Sequence, residues 1–256
     1  MAGNYLDMFS LEGKTALITG ANTGLGQGIC LAYAQAGANV IGVARRSCQE
    51  TAEKIAAVSG SFTEILADLS DLSVISRIVA EANAVCGRVD ILVNNAGLIK
   101  RCDAADVTVE EWDSVIDVNQ RMVFFLCQAF AKGWIQDKKG GRIINIASML
   151  SFQGGIRVPS YAASKSAVMG LTKALANEWS QHNINVNAIA PGYMATNNTA
   201  NLRSDEQRGD EILSRIPAGR WGTPEDIAGA AIFLASEASS YVNGFTLAVD
   251  GGWLAR

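Results

Sequence analysis

Seven short apolar runs recur along the chain of 256 residues, with stretches of helical periodicity between them. The runs are KTALIT from Lys14, NVIGV from Asn39, TEILA from Thr63, DILVN from Asp90, RIINIA from Arg142, INVNAI from Ile184 and TLAV from Thr246. They are continuous rather than alternating, which is typical of strands that are buried on both faces of a parallel sheet. The pattern predicts an α/β fold with a doubly wound, seven-stranded parallel sheet in a single domain over residues 1–256.

Charge and cysteine usage exclude several classes of protein. A net charge of −4 argues against a nucleic-acid surface, and no apolar run approaches the roughly 18 residues of a membrane span. The first residues, with Asp7 and Glu12, lack the pattern of a signal peptide. The cysteines are scattered without a C-x-x-C pair: Cys30, Cys48, Cys86, Cys102 and Cys127. We therefore predict free thiols, no metal site and a cytoplasmic protein.

One polar segment interrupts the alternation of strands and helices. YMATNNTANLRSDEQRGDEILSR lies between Pro191-Gly192 and Ile216-Pro217, where a short connection would suffice. Its composition is compatible with helix, and such insertions often cover sites at the carboxyl ends of strands. We predict a helical lid at about residues 193–215, with a surface excursion as the alternative.

The first apolar run leads directly into TGANTGLGQG, a glycine-rich turn that opens a helix. Glycines allow a tight turn close to a diphosphate, and the amino end of the helix offers free N–H groups to it. This is the phosphate-binding position of a Rossmann-like fold, although a plain turn is the alternative. The predicted cofactor contacts of this turn are Gly20, Thr23, Gly24, Leu25 and Gly26.

The second run ends in GVARRS, which bears on the choice of cofactor. An acidic residue here would bind the ribose hydroxyls of NAD, whereas Arg45 favours the 2′-phosphate of NADP. Ala44 occupies the acidic position, and Thr23 stands where a second cation would complete the phosphate site. The alternative is that Arg45 and Arg46 are merely solvated at the start of a helix.

The third and fourth runs end in further candidate contacts. Asp68, followed by Leu69, is placed to accept a hydrogen bond from an adenine amino group, or to cap a helix instead. The sequence NNAG, which includes Asn95 and Gly97, closes the fourth run where the backbone passes the cofactor. Turn formation is the alternative for both.

A serine, a tyrosine and a lysine follow the fifth run. Ser148 lies at the strand end, and Tyr161 and Lys165 lie four residues apart, on one face of a helix. A neighbouring ammonium is expected to lower the pKa of the tyrosine, which then exchanges protons near neutral pH without a histidine. The serine hydroxyl is placed to hold the substrate oxygen. The single histidine, His182, is interpreted as structural.

Together these motifs resemble the classical short-chain dehydrogenases/reductases over about residues 11–256. The resemblance implies that Tyr161 is the general acid/base, that Lys165 holds the nicotinamide ribose, and that Ser148 positions the substrate oxygen. It also implies that Asn119, in VIDVNQ, anchors a water that joins Lys165 to solvent. The resemblance further implies contacts to the nicotinamide half of the cofactor from Pro191, Gly192, Met194 and Thr196.

Longer stretches, such as INIASMLSFQGGIRVPSYAASKS and AVDGGWLAR, resemble family members that act on deoxy sugar acids. This similarity implies reduction of a 3-deoxy-2,5-diketo-hexonate to 2-dehydro-3-deoxy-D-gluconate, or oxidation of 2-deoxy-D-gluconate. These relatives are generally NAD-linked, whereas Arg45 favours NADP, so NAD(P)(H) stays open. The alternatives are a gluconate, polyol or 3-oxoacyl-carrier reductase of the same family, a nucleotide-sensing protein without turnover, and a chain kept for assembly alone.

A sugar acid needs a cation for its carboxylate. Arg157 lies between Ser148 and Tyr161, and Arg101 follows the NNAG turn, so we predict that Arg157, with Arg101 second, binds this group; solvated charges are the alternative.

Small residues also recur along the Tyr161 helix, at Ala163, Ala167, Gly170 and Ala174. With the family resemblance, they predict helix–helix contacts in a homotetramer, and packing within the monomer is the alternative.

Overall fold

The computed structural model describes residues 4–256 and contains one sheet of seven parallel strands in the order β3-β2-β1-β4-β5-β6-β7. The strands are β1 Thr15–Thr19, β2 Asn39–Ala44, β3 Ser61–Leu66, β4 Ile91–Asn94, β5 Gly141–Ile146, β6 Ile184–Pro191 and β7 Thr246–Val249. Each predicted run supplies one strand, which confirms the predicted fold.

Burial along the strands explains why the runs are continuous in hydrophobicity. Every residue of β1, β4 and β6 is buried, because these strands have a neighbour on each side and helices on both faces. Strand β3 lies at one edge of the sheet, and only Ile65 of its six residues is buried. The edge position relaxes the requirement for apolar residues there.

Helices cover both faces of the sheet. They are α1 Gly24–Gln35, α2 Gln49–Ala56, α3 Val74–Cys86, α4 Val109–Ile116, α5 Met122–Asp137, α6 Pro159–Trp179, α7 Ala200–Ser204, α8 Glu206–Arg215 and α9 Pro224–Ala235. Within β1, Leu17 packs into the core beneath α3, α5 and α6, and the next residue, Ile18, packs into the core beneath α1 and α9. This is the alternation that a strand imposes on successive side chains.

The order of the strands reverses beside β1, since β1 pairs with β2 on one side and with β4 on the other. Connections from the two halves of the sheet separate there and leave a crevice at the carboxyl edge. The predicted insertion lies above this edge and forms α7 and α8, which confirms its helical content. A small cluster anchors the insertion to the fold, formed by Met149, Ile212, Ile216 and Trp253. Closure of this segment as a lid stays a prediction.

Three properties of residues 4–256 bear on the classes of protein that the sequence argues against: membrane-spanning, metal-binding and disulfide-bonded proteins. No helix there combines the length and the apolar character needed to cross a membrane. No group of three or more His, Cys, Asp or Glu side chains in this range is arranged to hold a metal ion. The five cysteines are free, and Cys30, Cys48 and Cys127 are buried.

Candidate active site

A cavity of about 380 Å³ opens at the carboxyl edge of the sheet, between the ends of the central strands and the inserted helices. Many of the predicted site residues line it: Gly20, Thr23, Gly24, Leu25, Arg45, Asp68, Leu69, Asn95, Gly97, Arg101, Tyr161, Lys165 and Thr196. The fold therefore brings the ends of five strands, the start of α6 and the insertion to one site, as the motifs predict.

The glycine-rich turn owes its shape to three glycines. Gly20 and Gly24 have φ angles of +68° and +58°, in the region that favours glycine. A Cβ at Gly26 would lie 2.1 Å from the carbonyl oxygen of Gly20, so only glycine permits this close packing. Gly26 is buried and shapes the turn from behind, without lining the cavity.

The residues at this turn fit a dinucleotide. Helix α1 begins at Gly24, and the side chain of the N-cap residue, Thr23, makes no capping hydrogen bond. The first N–H groups of α1 therefore stay available to a diphosphate, and the helix dipole favours negative charge there. A Cβ at Gly97 would lie 3.3 Å from Asn119 Oδ1 and 3.7 Å from Lys165 Nζ, so the glycine also keeps the far end of the cavity open.

Arg45 and Asp68 face each other where the adenosine end of a dinucleotide would lie. Arg45 Nη1 is 4.0 Å from Asp68 Oδ2, and both side chains are exposed. Asp68 accepts hydrogen bonds from the backbone N–H and the hydroxyl of Ser70, which lower the pKa of Asp68. Arg46 does not line the cavity, so of the two arginines Arg45 alone is placed for a 2′-phosphate.

Asn95 joins the glycine turn to the end of β4. Its Nδ2 donates to Thr19 O at 2.9 Å, and the backbone N–H groups of Asn95 and Ala96 each donate to Thr19 Oγ1 at 3.0 Å. The NNAG sequence thus makes the turn that was the alternative interpretation, and this turn forms part of the cavity wall.

Two elements bring Ser148, Tyr161 and Lys165 together. Ser148 follows β5 and caps a short 3₁₀ turn, where its Oγ accepts from Leu150 N at 3.1 Å. Pro159 starts α6, so Tyr161 and Lys165 lie in its first two turns. Lys165 Nζ donates to Ile146 O at 2.6 Å and lies 5.7 Å from the centroid of the Tyr161 ring.

Burial controls the charge states of this pair. It raises the pKa of Tyr161, and the nearby hydroxyl of Ser148 and the charge of Arg101 oppose this shift. Burial lowers the pKa of Lys165 from its ordinary value to about 8. The structure thus differs from the expectation of a lowered tyrosine pKa, because removal of the phenolate from water outweighs the favourable charges around it.

Asn119 lies in a π-helical turn, Asp117–Arg121, between α4 and α5. It is fully buried and makes paired hydrogen bonds of 2.9 Å with the backbone of Leu98, through Oδ1 and Nδ2. Nδ2 also donates to Ser164 Oγ at 3.2 Å. Asn119 therefore holds the segment after Gly97 against α6, and its role in anchoring a water stays a prediction.

Arg157 and Arg101 occupy different environments. Arg157 has a φ of +63° and pairs with Asp103, with 3.0 Å from Nε to Oδ1, and it does not line the cavity. Arg101 lines the cavity, and its Nη2 donates to Asn198 O in the insertion at 3.4 Å. The structure therefore places Arg101, and not Arg157, on the wall of the cavity, while the choice between them as the carboxylate ligand stays a prediction.

The remaining predicted residues lie around the cavity rather than on its wall. Pro191 ends β6, and Gly192 is tightly packed, since a Cβ there would lie 2.6 Å from Asp250 Cα. Met194 is buried and forms an isolated bridge with Gly222 at the base of the insertion. Sequence reasoning missed further wall residues, which mostly adjoin the motifs it used: Asn22, Ala44, Ala67, Ser70, Ala96, Leu98, Ile99, Val118, Ile146, Asn197, Asn198 and Thr199.

The stripe of small residues on α6 faces outward. Ala163, Gly170 and Ala174 are exposed, Ala167 is half-buried, and no atom would lie within 4 Å of a Cβ at Gly170. Packing within the monomer thus does not explain the stripe. His182 lies in a 3₁₀ turn after α6 and is half-buried.

Comparisons with known proteins identify the family of this chain. A family model described as enoyl-(acyl carrier protein) reductase matches residues 20–254. The 2-dehydro-3-deoxy-D-gluconate 5-dehydrogenase of Dickeya dadantii is 61% identical over 251 residues, which cover 98% of this chain and 99% of that protein.

Two solved structures share the fold. A protein from Agrobacterium tumefaciens, provisionally named 2-deoxy-D-gluconate 3-dehydrogenase and bound to NADP, has a TM-score of 0.93 and 55% identity, covering 97% of this chain and 99% of that one. A gluconate 5-dehydrogenase from Burkholderia cenocepacia, in complex with NADP and tartrate, has a TM-score of 0.93 and 36% identity, covering 99% and 100%. The chain belongs to the short-chain dehydrogenase/reductase family, whose dehydrogenases are oxidoreductases that use NAD(P).

Proposed function

We propose that this chain is an NAD(P)-dependent oxidoreductase that interconverts a ketone and a hydroxyl group on a deoxy sugar acid. The substrate pair is a 3-deoxy-2,5-diketo-hexonate and 2-dehydro-3-deoxy-D-gluconate. The observation that carries the reaction class is that Tyr161 and Lys165 line a cavity that fits a dinucleotide, with Ser148 beside the tyrosine. The relative from Dickeya dadantii, which covers nearly the whole chain, supports the substrate class.

Tyr161 is the proton donor in the reductive direction. A nicotinamide cofactor bound in this cavity would supply the hydride for the substrate carbon. Tyr161 then delivers a proton to the substrate oxygen, so that the ketone becomes a hydroxyl group. Because burial raises the pKa of Tyr161, the phenol is protonated at neutral pH and ready to donate. The serine hydroxyl of Ser148 holds the same oxygen from the other side.

Lys165 orients the tyrosine and contributes charge. Its hydrogen bond to Ile146 O fixes the ammonium beneath the cavity. With a pKa of about 8, Lys165 is mostly protonated at pH 7, and its positive charge favours a phenolate on Tyr161 after proton transfer. We expect the neighbouring Asn119 to anchor a water that returns a proton from solvent.

Arg101 is the first candidate for the substrate carboxylate. It lines the cavity near Tyr161, and its charge partly opposes the rise that burial causes in the pKa of this tyrosine. A carboxylate beside Arg101 therefore leaves the rest of the substrate within reach of the phenol. Arg157, already paired with Asp103, is the second candidate.

The outward stripe on α6 supports a homotetramer formed through helix–helix contacts, because small exposed residues allow a second helix to approach closely. The free cysteines agree with a reducing compartment, so we place the protein in the cytoplasm.

The reaction is tested by following nicotinamide absorbance with the purified full chain, the diketo acid, and either NADH or NADPH. We expect turnover, with a product that matches 2-dehydro-3-deoxy-D-gluconate by chromatography. Gluconate with the oxidised cofactor is the comparison substrate, because one structural neighbour is a gluconate 5-dehydrogenase. If the chain prefers gluconate, the proposed substrate is wrong but the reaction class stands. If the chain binds the cofactor without any turnover, it is a nucleotide sensor.

A further inference from the structure

A second cleft lies at the amino edge of the sheet, opposite to the cofactor cavity. It is formed at the starts of β1, β4, β5 and β6 and by the loop before β7, and its volume is about 580 Å³. The strand β1 of five residues, about 17 Å long, separates this cleft from the site at the carboxyl edge. The proposed reaction uses no residue of this cleft.

Positive charge is concentrated in this cleft, although the chain as a whole carries a net charge of −4. The cations that line it are Lys14, Arg88, Lys139 and Arg142, and the carboxylates are Asp90 and Glu237. The local excess is therefore two positive charges. Such an excess inside a concave, partly desolvated surface raises the local concentration of anions.

Ion pairs and hydrogen bonds within the chain occupy the two carboxylates of the cleft, whereas its two lysines remain available to a ligand. Asp90 Oδ1 accepts from Arg88 Nη1 at 2.5 Å, and Asp90 Oδ2 accepts from Thr15 N at 2.9 Å. Within residues 4–256, neither Lys14 nor Lys139 forms an ion pair or donates a side-chain hydrogen bond. Both ammonium groups therefore keep their full donor capacity for a ligand.

The two arginines form a fixed base between the lysines. Arg88 donates to Asp90 and to the carbonyl oxygen of Gly140, yet its buried Nε has no acceptor in the described chain. Arg142 is only 14% exposed, donates to Asn185 and Glu237, and has a pKa that burial lowers. A buried guanidinium donor without a partner is unusual in a folded protein, because such groups normally find an acceptor.

We propose that this cleft binds a small phosphate-bearing polyanion, of the size of pyrophosphate or a phosphorylated metabolite, at a site separate from the cofactor cavity. Lysine ammonium groups suit phosphate as mobile point charges, and the ordered guanidinium groups supply directed donors. The two carboxylates and the limited volume disfavour an extended polyanion such as nucleic acid.

Isothermal titration calorimetry with inorganic pyrophosphate, at constant ionic strength, tests this site. We expect one pyrophosphate per wild-type chain whose cofactor cavity is saturated with NADP⁺. The double variant Lys14→Gln/Lys139→Gln should weaken binding at least tenfold. The matched control is Lys138→Gln, because Lys138 is exposed and adjacent in sequence but does not line the cleft. It should change the dissociation constant by less than twofold.

A second control separates this cleft from the cofactor cavity. Saturating NADP⁺ occupies the glycine-rich diphosphate turn of that cavity, so it should leave the pyrophosphate affinity of the cleft within twofold of the value without NADP⁺. Absence of binding by the wild type would overturn the proposal. So would equal weakening by Lys138→Gln, or loss of pyrophosphate binding when NADP⁺ is present, which would place the anion in the cofactor cavity.

Discussion

Lys165 and Tyr161 share one face of α6, with Nζ 5.7 Å from the centre of the phenol ring, yet the ammonium donates to Ile146 O rather than to the tyrosine. The lysine therefore acts on Tyr161 through its charge and its position. Burial sets opposite shifts on the two groups, because it disfavours the phenolate in one case and the ammonium in the other.

Replacement of Lys165 by methionine should stabilise the fold at neutral pH while abolishing activity. The unfolded chain binds a proton on this lysine up to pH 10.5, whereas the folded chain binds it only up to about pH 8. Lys165 therefore lowers the free energy of unfolding of the wild type most below pH 8, and this destabilisation disappears as the pH rises to 10.5. This pKa difference corresponds to about 3 kcal/mol. The variant should gain less than this, because it also loses the hydrogen bond to Ile146 O.

Urea unfolding of both proteins at pH 7 and at pH 10 measures this effect. The stability difference between Lys165→Met and wild type should be larger at pH 7 than at pH 10. A variant that is less stable than wild type at both values would show that the hydrogen bond dominates.

Replacement of Tyr161 by phenylalanine should lower kcat by about 10²–10⁴-fold, the range that a positioned general acid contributes. Cofactor affinity, followed by nicotinamide fluorescence, should change little because the ring remains in place. Tyr241→Phe is the matched control, since Tyr241 is fully exposed at the amino edge of the sheet. Activity of Tyr161→Phe within tenfold of the wild type would remove Tyr161 from the role of proton donor.

Arg45→Ala should raise the KM for NADPH by about 10–100-fold and leave the KM for NADH nearly unchanged, as expected for loss of a charge-assisted contact to a phosphate. Arg46→Ala is the control, because Arg46 adjoins Arg45 but does not line the cavity. Initial rates with both cofactors give the result. If the enzyme prefers NADH and Arg45→Ala changes nothing, Arg45 is a solvated residue at a helix start.

The two candidate carboxylate ligands are separated by parallel substitutions. Arg101→Ala should raise the KM for the sugar acid at least tenfold, whereas Arg157→Ala should change it less than threefold, because Arg157 lies outside the cavity and already pairs with Asp103. A neutral diketone serves as the control substrate and should show no difference between wild type and Arg101→Ala. The opposite order of effects would restore Arg157 as the carboxylate ligand.

Gly170→Arg should convert the proposed tetramer into smaller species, measured by light scattering after size-exclusion chromatography. The new side chain meets no atom of its own chain within 4 Å of the Cβ, so the monomer should fold normally. Ala80→Arg, at an exposed position on α3, is the matched control. An unchanged mass in Gly170→Arg would exclude the stripe on α6 as a subunit contact.

The sequence by itself determined the sheet and the identity of the candidate reacting groups. Strands buried on both faces require continuous apolar runs, and a diphosphate turn requires glycine at Gly20 and Gly24, so both leave a readable pattern. The spacing of Tyr161 and Lys165 likewise fixes one helix face without reference to the rest of the fold.

Only the tertiary structure decided what surrounds those groups. It set the pKa of Tyr161 above its ordinary value, since burial depends on elements distant in sequence. It placed Arg101 in the cavity and paired Arg157 with Asp103, because loop conformation determines where an exposed charge points. It also gathered Lys14, Arg88, Lys139 and Arg142 at the amino edge of the sheet, where strands far apart in the chain begin side by side.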